Sequence, residues 1–275
     1  MSKGYCIFAQ NNSSTDYVRQ AYALAVSIHQ FNENHKVSIV TNDQVPEEYH
    51  WAFDNIIPIP WTDQAEQSDW KIENRWKVFH VTPYTETIVM DADMLVLENL
   101  DHWWAELSKR DLFFVSRVKN FRNEFANSRY YRKVFDSNNL PNLYAGLYYF
   151  KKNKKTQRFF SLLELVITNW ELFYGKFAGI NYQKWPSIDV SCAIACKLMG
   201  NESEITDPNS FISFTHMKPH MQGWQQVPEK WTSSIGQYVT QDGDLLLGNY
   251  KQSGILHYVE DDFLTDKILK EIETL

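Results

Sequence analysis

An apolar run, Thr87-Ile88-Val89-Met90, ends in two carboxylates spaced two residues apart, Asp91 and Asp93, and resumes at once as Met94-Leu95-Val96-Leu97. The constraint is energetic. Carboxylates set into an otherwise buried run cost several kcal/mol unless they are paired, hydrogen-bonded or bound to a cation. In extended backbone the side chains at i and i+2 point to the same side, so both carboxylates are expected to converge on one ion. Hard cations that carry phosphates, Mn²⁺ or Mg²⁺, take such oxygen ligands and leave positions for the phosphates of a substrate. Asp242-Gly243-Asp244 has the same spacing, but its central Gly, between Tyr238-Val239 and Leu245-Leu246-Leu247, reads as a hairpin turn.

Around this run the chain alternates strand and helix patterns. Tyr5 to Gln10 reads as a strand, and Thr15 is the expected cap of a helix with apolar positions at Tyr17, Ala21, Leu24, Ile28 and Phe31. Val37 to Val40 is a second strand, and Ile56 to Ile59 a third whose Pro58 marks a sheet edge. Ser68 or Asp69 is the expected cap of a helix through Trp70, Ile72, Trp76 and Phe79. Farther on, Leu143 to Phe150 reads as a strand containing Gly146. Phe159 to Phe173 reads as one helix, and Ser187 starts another that Gly200 closes. Gly254 to Val259 is a last strand before a short terminal helix. Such alternation predicts an α/β fold with a largely parallel sheet and ligands at the carboxyl ends of its strands.

The length of 275 residues suffices for a sizeable core, and no apolar run reaches a membrane span. Tyr5-Cys6-Ile7-Phe8 follows the amino terminus directly, without a signal-peptide pattern, so a cytoplasmic location is expected, in host cytoplasm for a viral chain. Cys6, Cys192 and Cys196 make no disulfide framework and read as core thiols. The net charge of −7 is unevenly spread: 13 Lys/Arg and 3 Asp/Glu fall between Lys109 and Arg158. With Phe121, Phe125, Tyr130, Tyr131 and Phe135 interleaved, that segment predicts a basic, aromatic face suited to a polyanion.

The order of these motifs resembles the glycogenin-like family 8 glycosyltransferases, across most of residues 4 to 259. The likeness is carried by Ile7 to Asn12 with Tyr17 and Ala21, by Val89 to Leu97, and by Leu256-His257-Tyr258. The resemblance implies a GT-A fold, Rossmann-like, and retaining transfer of a sugar from a nucleoside-diphosphate sugar, a UDP-sugar above all. It implies one domain over 1–275, with a nucleotide-sugar-binding half over 1–108 and an acceptor-side half over 109–275. Asp91, Asp93 and His257 would bind Mn²⁺ or Mg²⁺. Arg75, with Lys71 expected on the same helical face, would neutralise the leaving diphosphate. Tyr17 would pack on the nucleobase, Asn11 would read its edge, and Asp189 would lie near the reacting carbon of the sugar.

Two departures bear on specificity. Tyr144-Ala145-Gly146 stands where the family has Asn-Ser-Gly, so a polar contact to donor or acceptor is either missing or moved to Asn142. Glu260, Asp261, Asp262 and Phe263 follow His257 where the family has a phosphate-gripping Lys-Pro, so Lys218 is the expected substitute cation. His216 and His220 have the spacing of a helical metal pair, but Pro219 between them argues against a helix. The expected acceptor is a glycan or a nucleic acid, such as a hydroxymethylated base of viral DNA, met through the basic 109–158 segment. Front-face displacement and a covalent intermediate through Asp189 both fit, and the sequence leaves the oligomeric state open. Two other classes share features with this chain. A nucleotidyltransferase uses a similar strand-end metal site, but Asn11-Asn12-Ser13-Ser14 lacks its glycine-rich loop. A non-catalytic sugar or nucleic-acid binding module would use the ten Trp for stacking.

Overall fold

The computed structural model describes residues 2–32, 34–126, 132–179, 183–200, 202 and 211–274. A six-stranded sheet has the order β3-β2-β1-β4-β7-β6, formed by β1 (Lys3–Phe8), β2 (Val37–Val40), β3 (Asn55–Ile57), β4 (Glu86–Asp91), β6 (Leu112–Val115) and β7 (Tyr144–Lys151). Strands β3, β2, β1 and β4 run parallel, whereas β7 is antiparallel to both of its neighbours. Because β1 and β4 are parallel neighbours, Phe8 lies beside Asp91 at their shared carboxyl end. Pro58 lies just beyond β3, which is an edge strand as the proline requires.

The strand sequences are continuously apolar because both faces of the sheet are covered. Tyr5, Ile7, Ile88, Met90 and Tyr149 enter one core, while Cys6, Phe8, Val89, Tyr148 and Phe150 enter the other. Helix α1 (Tyr17–Phe31) belongs to the first core, where it packs on β5 (Met94–Val96). Farther along the chain come α2 (Val78–Val81), α3 (Asp101–Leu107) and α4 (Lys133–Ser137). Helices α5 (Lys154–Thr168), α6 (Trp170–Ala178) and α7 (Ile188–Met199) cover the second core. Cys192 and Cys196 are buried, free thiols within it.

A second small sheet has the order β5-β12-β8, with β8 at Phe214–His216 and β12 at Ile255–His257. Between them in sequence, β9 (Gln237–Val239) and β10 (Leu245–Leu247) form the hairpin expected around Asp242-Gly243-Asp244, extended by β11 (Tyr250–Lys251). Asp244 is ion-paired there with Lys251 at 2.6 Å. Among the described residues no helix is long and apolar enough to cross a membrane.

Several local expectations are corrected. Asp16, not Thr15, caps α1, its carboxylate accepting from the Arg19 N–H at 3.0 Å, because Thr15 is held in an Asx turn by Asn12. The apolar stretch from Phe159 to Phe173 is divided between α5 and α6 at Asn169. No helix starts at Ser68 or Asp69. Lys71 sits at φ 51°, in the left-handed region, so the chain turns there, and helical structure begins only with a 3₁₀ turn at Arg75–Lys77. Lys71 and Arg75 therefore share no helical face.

Candidate metal and nucleotide-sugar site

Asp91 is the last residue of β4, and Ala92-Asp93 is a turn into β5. The carboxylates thus converge through a turn, not along one extended strand, because the chain leaves the large sheet at Asp91 to pair in the small one. That pairing brings in the third group. β12 runs antiparallel to β5 with His257 opposite Met94, and the Tyr258 N–H donates to the Asp93 carbonyl at 3.1 Å. Trp231 is fully buried and donates its indole N–H to the Tyr258 carbonyl at 2.6 Å, fixing the backbone just beyond His257.

One ligand atom from each of Asp91, Asp93 and His257 lies within 4.8 Å of the others. His257 Nε2 is 3.0 Å from Asp93 Oδ2, and Arg75 Nη1 is 2.9 Å from Asp91 Oδ1. The Asp91 and Asp93 side chains are only 18% and 16% exposed. Burial pushes the Asp91 carboxyl up against the pull of Arg75, and the neighbouring charge of Asp93 adds to the rise. Burial also works against the Asp93 charge, but the attraction and hydrogen bond of His257 hold that carboxyl below its ordinary value. Two crowded carboxylates and an imidazole form a donor set that a hard divalent ion fits, while the Arg75 guanidinium offers charge and no lone pair.

Gly146 on β7 is a requirement of this geometry. A Cβ built there would stand 2.6 Å from Asp91 Oδ2 and 3.1 Å from the Met94 methyl. A glycine within a strand signals such close approach, which was the available sequence clue. Gly146→Ala is expected to weaken divalent-ion binding about tenfold or more, because overpacking costs about 1–3 kcal/mol. Titration calorimetry with Mn²⁺ checks this, and wild-type affinity in the variant would show that Asp91 has no fixed position.

The three residues stand in a cleft of about 410 Å³ whose walls include Gln10, Tyr17, Lys71, Arg75, Asp189, His216 and Lys218. Tyr17 is half-buried at the start of α1. Burial, then the charge of Asp93, raises its phenol. Lys71 reaches the cleft wall while its ammonium donates to the Ala65 and Glu66 carbonyls at 2.8 and 2.9 Å. Lys218 precedes the 3₁₀ turn Pro219–Met221, and its charge bears on both His216 and His257. Asn11 is not among the cleft-lining residues. Its side chain accepts from the Val18 N–H at 3.0 Å, while Gln10 occupies the wall.

Asp189, in the first turn of α7, has both oxygens engaged: Oδ1 accepts from the Ala145 N–H at 2.8 Å and Oδ2 meets Arg132 Nη1 at 2.6 Å. Arg132 is 4% exposed and lies between the rings of Phe135 and Tyr144, at 3.9 and 4.1 Å. Its Nε and Nη2 groups donate to Asn142 Oδ1 and to the Leu143 carbonyl. The sequence placed Arg132 in a basic patch, and nothing local in it signals this pairing 57 residues away.

His216 was also missed as a neighbour of His257. Pro219 does forbid a helix, but β8 pairs with β12 in parallel and sets the His216 and His257 rings at 4.6 Å. His216 Nδ1 is buried without a partner among the described residues.

No protein-family model and no curated protein matches this sequence. Solved structures do resemble it. The galactosyltransferase LgtC, in complex with donor and acceptor sugar analogues, has a TM-score of 0.57 at 12% identity, covering 98% of this chain and 95% of LgtC. The glycosyltransferase GlyE of Streptococcus pneumoniae TIGR4 has a TM-score of 0.51 at 14% identity, covering 99% of this chain, which spans 61% of GlyE. The bifunctional glycosyltransferase WbbM has a TM-score of 0.52 at 12% identity, and this chain spans 49% of it. The shared architecture is the GT-A fold, as the sequence led one to expect.

Proposed function

We propose that this chain is a metal-dependent glycosyltransferase that moves a sugar from a UDP-sugar to an acceptor hydroxyl with retention, acting as one domain. The observation that carries this reading is the convergence of Asp91, Asp93 and His257 in a cleft at the strand ends of a GT-A fold. These three would hold Mn²⁺ or Mg²⁺, which when bound supplies Lewis-acid stabilisation of the leaving diphosphate. Arg75 and Lys218 add positive charge for the phosphates, with Lys71 at the rim, and Tyr17 offers its ring to the nucleobase.

Retention needs either a covalent intermediate or displacement on one face of the sugar. Asp189 already has both oxygens engaged, which favours the second route. In that route the acceptor oxygen bonds to the anomeric carbon as its bond to the diphosphate breaks. The acceptor proton passes to the departing phosphate oxygen. Asp189, its charge met by Arg132 and the Ala145 N–H, then serves as a fixed polar wall near the sugar. The acceptor is a glycan or a nucleic acid.

Calorimetric titration with UDP, ADP and GDP, each with Mn²⁺ and with EDTA, tests the donor side. UDP binding that requires the metal is expected. No binding of any nucleotide with either Mn²⁺ or Mg²⁺ would sink the transferase reading.

A further inference from the structure

The positive charge between Lys109 and Arg158 does not gather at the cleft. Register places Lys151 opposite Glu86 and Leu112 opposite Phe150, at the far end of the sheet from Asp91. Five strand residues separate Glu86 from Asp91, or roughly 17 Å at 3.3 Å per residue. Lys3, on β1, stands opposite Glu86 from its other side. Lys109 and Arg110 lead into β6, while Lys152, Lys154, Lys155 and Arg158 run from the end of β7 into α5. Eight cations thus meet three carboxylates at this corner, Glu86, Glu106 and Asp111. The local charge is +5 in a chain of net charge −7, which leaves −12 elsewhere. Arg132 is committed to Asp189, and Arg129, Tyr130 and Tyr131 lie outside the described residues. The expected basic face is thus split by the antiparallel turn-back of β7.

This far corner is held in shape by its own hydrogen bonds. Asn153 caps α5, its side-chain oxygen accepting from the Lys155 and Thr156 N–H groups at 2.9 and 3.0 Å. The Asn153 amide donates to Asp111 Oδ1 at 2.7 Å, which ties the start of α5 to the start of β6. Lys151 and Lys152 donate to the Ser108 and Thr82 carbonyls, so their ammonium groups have fixed places. Two ion pairs offset part of the charge, Lys109 with Glu106 at 2.7 Å and, more loosely, Lys155 with Asp111 at 3.9 Å. Glu86 is buried and accepts from the Tyr149 hydroxyl at 2.6 Å. Lys152, Lys154, Lys155 and Arg158 are all exposed.

Stability does not explain this arrangement. The amino end of a helix carries partial positive charge, which favours acidic side chains there. The first turn of α5 has none, and Lys154 and Lys155 are its first two residues. Cations set against the dipole, beside further cations from β1, β6 and β7, suit an anion supplied from outside. We infer that this corner is a docking surface for the phosphodiester backbone of a nucleic acid, met without regard to sequence and apart from the cleft. Backbone phosphates draw affinity from the number of Lys and Arg side chains they meet, through the counterions released. A lipid surface is held by inserted apolar groups as well as by charge. Leu165, the exposed large apolar residue of α5, lies about 10 Å along the helix from Arg158 at 1.5 Å per residue. The inference goes beyond the transferase reading and does not depend on it.

The test uses the full chain and a labelled 20-base-pair DNA duplex, followed by fluorescence anisotropy from about 50 to 200 mM salt. Binding is expected at low salt, weakening with a log–log slope of roughly 0.9 per phosphate contact. Lys154→Glu and Arg158→Glu are each expected to weaken it about threefold or more and to flatten the slope by about one. The thermal midpoint of Lys154→Glu should rise by about 1–3 °C, because an acid then faces the helix dipole. UDP with Mn²⁺ should neither displace the duplex nor bind the variants differently from wild type. Duplex binding without any UDP binding would keep the surface and remove the transferase reading. No duplex binding at the lowest salt, or binding indifferent to both changes, would overturn the inference. So would loss of binding only with a lower midpoint in both variants, displacement by UDP with Mn²⁺, or tighter binding to phosphatidylserine vesicles than to the duplex.

Discussion

Asp93→Asn is expected to reduce metal-dependent UDP affinity about 100-fold or more, since even groups that only support metal ligands are worth 10–100-fold. The loss follows from geometry. Asp93 meets His257 at 3.0 Å and shares one ion-sized space with Asp91. The amide keeps the shape but removes the charge, so a divalent ion is left with one carboxylate and an imidazole. The fold should survive: one of two crowded negative charges disappears, which offsets the weakened bond to His257. The backbone bond from Tyr258 to the Asp93 carbonyl is untouched. Calorimetry with UDP and Mn²⁺, beside a thermal melt, reads both effects. Wild-type UDP affinity in a folded Asp93→Asn protein would remove Asp93 from the ligand set.

Asp189→Ala is expected to destabilise the protein by about 3–5 kcal/mol, the usual cost of leaving one partner of a buried pair uncompensated. Arg132→Met should cost less, about 1–3 kcal/mol, as for a lost charged hydrogen bond. The asymmetry comes from exposure: the Arg132 side chain is 5% accessible, while the Asp189 side chain is 22% accessible and can rehydrate. Once alone, Arg132 keeps a largely buried charge between Phe135 and Tyr144, with its remaining bonds only to the neutral Asn142 and Leu143 oxygens. The double variant should therefore be more stable than Asp189→Ala alone, which is strong non-additivity between contacting residues. Urea unfolding of the four proteins measures the cycle. Additive losses would show that Asp189 and Arg132 act independently and that Asp189 is not held by the pair.

The elements that local pattern could specify were legible. The alternating apolar strands, the αL glycine that closes α7 at Gly200, and the Asp242-Gly243 hairpin follow from periodicity and turn chemistry within a few residues. Asp91 and Asp93 stood out for a similarly local reason: two charges inside an apolar run demand a partner. The failures lie where local signals compete. Trp70 to Phe79 carries a helical period, yet Lys71 adopts a left-handed turn and its ammonium is spent on the Ala65 and Glu66 carbonyls.

What only the tertiary structure decided is which distant groups meet. His257 reaches Asp93 because β12 takes its register from β5, and His216 reaches His257 because β8 pairs beside it. Gly146 has no side chain because β7 passes against Asp91. The basic segment looked like one surface because charge was counted along the chain. The antiparallel return of β7 carries half of it to the other pole, and Arg132 turns inward to Asp189. Sequence by itself determined the α/β architecture and the paired carboxylates, since burial and periodicity are properties of neighbouring residues. The meeting of His257 with the two carboxylates and the anchoring of Asp189 depended on sheet order and register, which are set by the packing of the whole chain.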